Sequence, residues 1–223
     1  MRASTAIIVS GAGRYSDPWH PFAQTSAALV GQLDELNIRA TVHPGDAGAL
    51  DTDGVDLLVV NAGGGSTTDD DHRFDDPVAL RQAVLEFTAS GGPTLVVHTG
   101  SNTFYESGNW ARLIGGRWLP GTSMHPPLGP ATVDVADADH PISTGLEQLH
   151  VRDELYCHLQ VAPTARVLAT HRFENEDHAL VWTHEHRGVR VVYDALGHDA
   201  QAYAGADRRE LLRREVRWLL EEP

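Results

Sequence analysis

The chain has 223 residues, of which 41% are apolar, and this is enough for one domain with a full hydrophobic core. Its formal net charge is −14 and all 17 basic residues are arginine, which argues against binding to nucleic acid, against lysine Schiff-base chemistry and against a lysine-containing phosphate loop. The single cysteine, Cys157, excludes an intramolecular disulfide, and no window reaches the roughly 18 apolar residues of a membrane span.

The N-terminal half alternates predicted strands with predicted helices. Apolar runs predict strands over 5–10, 38–42, 56–61 and 95–97, and helical spacing predicts helices over 21–36 and 78–90. This alternation favours an α/β domain with a mainly parallel sheet and helices on both faces. The sequence Gly11-Ala12-Gly13 after the first strand lacks the third glycine of a dinucleotide-binding motif.

The C-terminal half is less regular. The pattern predicts a short helix over 104–114, an irregular segment over 117–130, an edge strand over 131–136 and late strands over 166–170, 179–183 and 189–193. A hairpin-like turn over 184–188 joins the last two strands, and an amphipathic helix over 207–220 follows. We interpret residues 1–223 as a single domain, and because the N-terminal apolar run is too short for a secretion signal we expect a cytoplasmic protein.

Among the 13 histidines, His98 is the one that the strand pattern places best. It ends a buried strand and precedes the tight turn Thr99-Gly100-Ser101. Ligands of open α/β sheets bind outside the carboxyl ends of the strands, so His98 is predicted to line a site, although it could simply close the strand. The loop after the first strand lies at the same edge, which brings His20 into the same neighbourhood.

Several motifs occur in a fixed order in the remainder of the chain. They are Gly115-Gly116-Arg117-Trp118 with His125 downstream, His140-Pro141-Ile142, Asp153-Glu154-Leu155-Tyr156, and the run from Tyr193 to Asp199. The ordered set resembles the ThuA family, which is named for trehalose utilisation, and the resemblance runs from the first strand to the end of the chain. It implies a flavodoxin-like fold similar to class I glutamine amidotransferases and a link to disaccharide or keto-sugar metabolism.

The chain departs from the amidotransferase pattern in the turn after the predicted strand over 95–97. Amidotransferases carry a nucleophilic cysteine in the turn after the comparable strand, where this chain has His98-Thr99-Gly100. The only cysteine is Cys157, so we expect no glutamine amidotransferase activity.

The candidate residues predict acid/base chemistry on a sugar carbonyl. His98, His198 and Glu154 are the predicted catalytic groups, because imidazoles and carboxylates exchange protons near neutral pH. The predicted substrate-binding residues are His20, Tyr156, Trp182 and Phe104. Aromatic rings offer flat faces to a sugar, although each could equally belong to the core. The favoured class is an isomerase, hydratase or lyase of an oxidised sugar.

A metal-assisted mechanism is the alternative. His98, His125 and His198 with an open position would make a catalytic zinc set, and no other cofactor is indicated. The chain has no HExxH motif, so these ligands would have to converge from separate loops. The acidic run Asp69-Asp70-Asp71 is either a cation-binding loop or a solvated turn, and the turn is favoured.

The expected partner is a small-molecule carbohydrate, with no nucleic acid and no membrane. The prevalence of two-fold oligomers favours a homodimer. Two other function classes stay open, namely a non-catalytic sugar-binding or regulatory module on an inactivated amidotransferase-like scaffold, and an accessory subunit of a sugar dehydrogenase. The density of titratable groups favours an enzyme.

Overall fold

The computed structural model describes residues 3–64, 78–105, 107–186 and 188–221. Its strands are β1 (Thr5–Ser10), β2 (Arg39–Pro44), β3 (Leu57–Asn61), β4 (Thr94–Val97), β5 (Gly116–Arg117), β6 (Gly129–Val135), β7 (Gln148–Asp153), β8 (Gln160–Val161), β9 (Arg166–Phe173), β10 (Glu176–His186) and β11 (Val189–Asp194). Its helices are α1 (Phe22–Asp34), α2 (Val78–Ala89), α3 (Gly108–Ile114) and α4 (Ala206–Leu220).

One large sheet organises these elements, with the strand order β2-β1-β3-β4-β11-β10-β9-β6-β7. Neighbouring strands run parallel from β2 to β11 and antiparallel from β11 to β7. The order at the parallel end is that of flavodoxin-like sheets, which confirms the predicted α/β class. Strands β3 and β4 are buried along their whole length, which explains why they read as continuous apolar runs.

Helices cover both faces of the parallel half. The crossover through α1 leads from β1 to β2, and the crossover through α2 leads in the opposite direction, from β3 to β4. Because crossovers between parallel strands are right-handed as a rule, two crossovers in opposite directions lie on opposite faces. Helix α4 borders a groove with α1, and α3 packs against α2. In the described part of the chain, no helix is long and apolar enough to cross a bilayer.

The antiparallel half differs from the sequence prediction. Strand β6 is not an edge strand, because it pairs with both β9 and β7, and the edge is β7. Strand β7 escaped prediction because its buried face carries Asp153 beside Leu149 and Val151, and a charged residue interrupts the apolar alternation. The predicted turn over 184–188 is largely strand, since β10 extends to residue 186. The acidic run 69–71 lies outside the described residues.

The antiparallel half also curls back over the sheet. Strand β7 is four places from β11, which in a flat sheet would separate them by about 19 Å. Nevertheless Asp153, at the end of β7, accepts hydrogen bonds of 2.7 and 3.0 Å from the backbone of Gly197 and His198, just beyond β11. The twist of the sheet therefore carries the end of β7 to the carboxyl edge of the parallel half.

Candidate active site

A cavity of about 450 Å³ opens at the carboxyl edge of the parallel strands. One wall comes from the loops after β1, β3 and β4, and includes His20 and Asn102. The other wall comes from the antiparallel half, and includes Trp118, Glu154 and Tyr156. The strand order reverses between β1 and β3, so the cavity lies at the topological switch point, where open α/β sheets bind ligands.

His98 occupies a sharp turn directly after β4. Its φ of +46° is left-handed, and the chain then forms a 3₁₀ turn over His98–Ser101. The turn requires glycine at position 100, because a Cβ there would lie 2.4 Å from Cγ1 of Val96. The Tyr193 hydroxyl donates a hydrogen bond of 2.9 Å to the His98 carbonyl, and this bond helps to hold the turn against β11.

The His98 side chain is 2% exposed and does not reach the cavity surface. Nδ1 donates a hydrogen bond of 2.6 Å to the Ala195 carbonyl, so the proton is on Nδ1 and the lone pair is on Nε2. The Tyr156 hydroxyl lies 3.0 Å from Nε2 and donates to it. Burial, together with the nearby His20 and His198 imidazoles, lowers the pKa of His98 well below its usual value, which keeps the ring neutral.

His20 is oriented by a carboxylate three residues before it. Nδ1 lies 2.7 and 2.9 Å from the two Asp17 carboxylate oxygens, and Asp17 also accepts hydrogen bonds from the backbone N–H groups of Trp19 and His20. Burial raises the pKa of Asp17, but these hydrogen bonds and the His20 imidazole outweigh it and leave the pKa below its usual value. The far nitrogen, Nε2, is buried and has no hydrogen-bond partner among the described residues.

Glu154 is the centre on which the imidazoles converge. Its Oε2 lies 3.0 Å from His198 Nδ1, 3.5 Å from His125 Nε2 and 3.9 Å from His98 Nε2. The Glu154 carboxylate raises the pKa of His198 above its usual value despite burial. Burial acts to raise the pKa of Glu154, but the neighbouring imidazoles outweigh it and lower the pKa.

Asp153 holds two of these groups in place through their backbone. Its carboxylate accepts hydrogen bonds from the N–H groups of Glu154, Gly197 and His198, at 2.9, 2.7 and 3.0 Å. The side chain is 2% exposed, and burial raises its pKa to about 6 against the effect of these hydrogen bonds. Asp153 therefore fixes the end of β7 to the loop after β11.

His125 reaches the same carboxylate from the irregular segment. A backbone bridge between Met124 and Cys157 places it beside Tyr156, with the ring centroids 5.8 Å apart. The His125 side chain is 34% exposed, and its Nδ1 donates a hydrogen bond of 3.0 Å to the Pro126 carbonyl. Its Nε2 lone pair is therefore available on the cavity side.

The family model described as trehalose utilisation, ThuA, matches residues 7–219. The chain belongs to the ThuA family. Its fold is similar to that of a ThuA-like protein from Parabacteroides merdae, with a TM-score of 0.80, 17% identity and coverage of 99% of this chain and 90% of that one. A ThuA-like protein from Bacteroides uniformis matches with a TM-score of 0.70, 15% identity and coverage of 97% and 91%.

A glutamine amidotransferase from Thermotoga maritima also matches, with a TM-score of 0.64, 10% identity and full coverage of both chains. No curated protein matches the sequence. At these low sequence identities, the structural matches establish the fold alone. They confirm the predicted similarity to the fold of glutamine amidotransferases. The Cys157 thiol of this ThuA chain lies beside His171, 3.6 Å from its Nε2, and burial raises the pKa of the thiol to about 11, so it is not an activated nucleophile.

Two of the predicted sugar platforms lie in the core of this ThuA protein, which corrects that assignment. Trp182 is fully buried, stacks on Tyr193 and donates a hydrogen bond to the Ile114 carbonyl, because β10 continues past it. Phe104 is also fully buried, in a turn with φ of +51°, and packs edge-on against Tyr15.

Sequence reasoning missed the aromatic wall that is present. Trp118 lines the cavity, with its ring edge-on to Tyr156 at 4.8 Å. The signal was its place in the motif that carried the family resemblance. Asp17 was also missed, and its spacing of three residues before His20 was the available clue.

Two groups of side chains in the described residues bring potential metal-ligand atoms within 4.8 Å of one another. The pocket cluster comprises His20, His98, Glu154 and His198. The hairpin cluster comprises His158, Glu176 and His178, beside the β9–β10 connection. Of the predicted metal ligands His98, His125 and His198, the pocket cluster contains His98 and His198, and His125 lies outside it.

Proposed function

We propose that this ThuA-family protein is an enzyme that moves a proton at a carbon adjacent to the carbonyl of a small carbohydrate. The observation that carries the proposal is the convergence of His98, His125 and His198 on one Glu154 oxygen at the cavity. Isomerases, hydratases and lyases of oxidised sugars share this proton transfer. Clefts that combine convergent titratable groups with strongly shifted pKa values are typical of active sites.

His125 is the group best placed to act as the base. Its Nε2 lone pair faces the cavity, since Nδ1 donates to the Pro126 carbonyl. The Glu154 carboxylate, 3.5 Å from Nε2, would stabilise the imidazolium that forms when His125 takes the proton. The proton then returns to the neighbouring carbon or leaves with the departing group.

Tyr156 is the candidate donor to the substrate oxygen. Burial raises the pKa of its hydroxyl well above its usual value, so the group stays protonated and can donate a hydrogen bond to a developing enolate. It lines the same cavity as His125. The His98 and His198 side chains are not part of the cavity surface, so their contribution is to the environment of Glu154 and Tyr156.

The cavity wall favours a carbohydrate as the substrate class. Trp118 and Tyr156 give the cavity an aromatic, partly apolar wall, and Ser101 and Asn102 line the cavity with polar side chains. Aromatic rings beside a few hydrogen-bonding groups suit a ring that is apolar on its faces and polar at its edges. The family description, trehalose utilisation, supports the same class.

Solvent deuterium exchange tests the proposal directly. Each member of a panel of keto-sugars and oxidised disaccharides would be incubated with the protein in D₂O, and proton NMR would follow the C–H signal next to the carbonyl. We expect exchange with the wild type and a loss of about 100-fold or more in His125→Asn, the range for removal of an acid/base group. His150→Asn is the matched control, because His150 is an exposed histidine of β7.

The same experiment separates an enzyme from a binding module. Sugar binding seen as a thermal shift, with no exchange for any carbonyl sugar that binds, would contradict the proposal and favour the non-catalytic alternative. Equal exchange rates in wild type and His125→Asn would contradict the role of His125.

A further inference from the structure

The pocket cluster has an arrangement that proton transfer alone does not explain. Three imidazoles surround one carboxylate, although a single imidazolium would neutralise it. Two of the rings, His98 and His198, do not line the cavity. Side chains of this kind are costly to bury unless each has a partner. The question is therefore what their lone pairs face.

Hydrogen bonds orient the imidazoles so that particular nitrogen lone pairs face the cluster. His98 donates Nδ1–H to the Ala195 carbonyl, and the Asp17 carboxylate accepts Nδ1–H from His20. In both rings the anchor is an acceptor on the outer side, which leaves the Nε2 lone pair aimed at the cluster. Metal-ligating histidines are held in this way, by a carbonyl or carboxylate on the nitrogen that does not bind the ion.

Two of the three inward-facing imidazole nitrogens have no hydrogen-bond partner among the described residues. Nε2 of His20 is buried with no hydrogen-bond partner among the described residues. Nδ1 of His198 lies 3.0 Å from Glu154 Oε2 without the alignment of a hydrogen bond. This distance, and the 3.9 Å from the same oxygen to His98 Nε2, bracket the separation of about 3.4 Å between two ligands of a tetrahedral zinc ion.

We propose that the pocket cluster binds one divalent transition-metal ion of the zinc type. The ligand atoms are Nε2 of His20, Nε2 of His98, Nδ1 of His198 and Oε2 of Glu154. A set of imidazoles with one carboxylate suits zinc and its first-row neighbours, whereas calcium and magnesium prefer oxygen ligands alone. Only the role of the ion rests on the proposed function: it would polarise the substrate carbonyl.

The residues around the cluster are arranged to keep the ligands in register. Asp153 fixes the backbone of both Glu154 and His198, and Asp17 fixes the ring of His20. Tyr156 is the competing group, because its hydroxyl donates to the same His98 lone pair that the ion would use. Metal binding therefore requires this hydroxyl to turn away from His98, which would free it for the substrate.

The test is metal analysis of the untagged full-length protein. Purified without a metal column, it would be equilibrated with zinc, dialysed and measured by mass spectrometry, and affinity would be measured by competition with a chelating dye. We expect about one equivalent per chain, and an affinity about 100-fold or more lower in His20→Ala, His98→Ala, His198→Ala and Glu154→Gln.

His125→Ala is the matched control. His125 lies 3.5 Å from the same Glu154 oxygen but is outside the proposed ligand set, so its loss should change zinc affinity by no more than about threefold. A wild type that holds no zinc at micromolar concentrations would overturn the proposal. So would an equal loss in His125→Ala and His20→Ala, or a bound equivalent that disappears in His178→Ala instead.

Cobalt provides a readout that does not depend on ligand variants folding. Cobalt-loaded wild type should show the visible absorption of an imidazole-coordinated ion of low coordination number, and zinc should displace it. A spectrum of hydrated cobalt would contradict the site. Metal binding without sugar exchange would leave the site standing and reject the proposed function, whereas exchange by metal-free protein would reject the assigned role of the ion.

Discussion

The pocket cluster and the hairpin cluster contain similar residues at similar spacing, but they hold their imidazoles in opposite ways. In the pocket cluster the anchors on His98 and His20 are hydrogen-bond acceptors, so each proton is drawn outward. In the hairpin cluster the anchor is a donor, since the backbone N–H of His158 donates 3.3 Å to Nδ1 of His178. That bond uses one lone pair of His178 and leaves the proton on the other nitrogen.

The two clusters also differ in burial. His158 and Glu176 of the hairpin cluster are exposed, whereas the members of the pocket cluster are buried or half-buried at the end of a cavity. Proximity of ligand atoms is therefore insufficient for a metal site, because the hydrogen-bond partner of each imidazole decides which of its nitrogens is free.

The largest effect is expected from removal of Asp153. In Asp153→Ala one buried and two partly buried backbone N–H groups lose their acceptor, and a buried group left without a partner costs about 1–3 kcal/mol. We expect a free energy of unfolding lower by about 3 kcal/mol in denaturant titration. Zinc affinity should fall by about 100-fold, since Glu154 and His198 are no longer held together.

Asp177→Ala is the control for this change. Asp177 forms an exposed ion pair with Arg172 beside the hairpin cluster, and such pairs contribute less than about 1 kcal/mol. Equal destabilisation in the two variants would show that Asp153 does not have the structural role assigned to it.

Asp17 should have the next largest effect, and a purely local one. We expect zinc affinity to fall by about 30-fold in Asp17→Ala, because His20 loses the carboxylate that fixes its tautomer and ring orientation. Asp17→Asn should recover part of this loss, since an amide oxygen can still accept from Nδ1–H. Glu176→Gln in the hairpin cluster should leave the affinity within about twofold, and a larger loss there than in Asp17→Ala would remove the distinction between the clusters.

These expectations depend on contacts that the sequence revealed only in part. The strand ends after β1 and β4 predicted that His20 and His98 would lie together, because parallel strands bring their carboxyl ends to one edge. The same rule could not place Glu154, since β7 was hidden by the charged inward residue Asp153. Its approach to the pocket depends on the curl of the antiparallel half, which no local pattern encodes.

The aromatic residues show the corresponding limit. Trp182 and Phe104 were predicted as sugar platforms from residue type and position, but both are buried in the core. For Trp182 the reason is that β10 is longer than its pattern indicated, so this residue lies in the middle of the strand. Trp118 lines the cavity from an irregular segment without periodicity. Periodicity therefore predicted the parallel half well, whereas the wall contributed by the antiparallel half required tertiary structure.

The pKa values of the imidazoles at the two clusters should be shifted in opposite directions. In chelator-treated protein, the Glu154 carboxylate raises the pKa of His198, and burial lowers the pKa of His171, next to His178. The contribution of His198 to stability is therefore full below about pH 6.5 and is lost as the pH rises through its raised pKa. That of His171 is present above about pH 6.5 and is lost as the pH falls through its lowered pKa.

NMR of the ring protons against pH measures both values. Glu154→Gln should lower the pKa of His198, because the charged partner is gone and burial then dominates. The same substitution should leave the pKa of His171 unchanged. A His198 that titrates below His171 in the wild type would mean that Glu154 is not ionised beside it.

The smallest effect should come from Tyr156→Phe, and its sign is the informative part. The hydroxyl donates 3.0 Å to the His98 lone pair, so it competes with an ion at that atom. Removal of one neutral hydrogen bond is worth about 1 kcal/mol, and zinc should therefore bind about fivefold more tightly to the variant. A weaker affinity would indicate that the hydroxyl supports the ion rather than competing with it. Sugar exchange should fall in the same variant, because the proposed donor to the substrate oxygen is lost, so tighter zinc binding and slower exchange together would separate the two roles of this side chain.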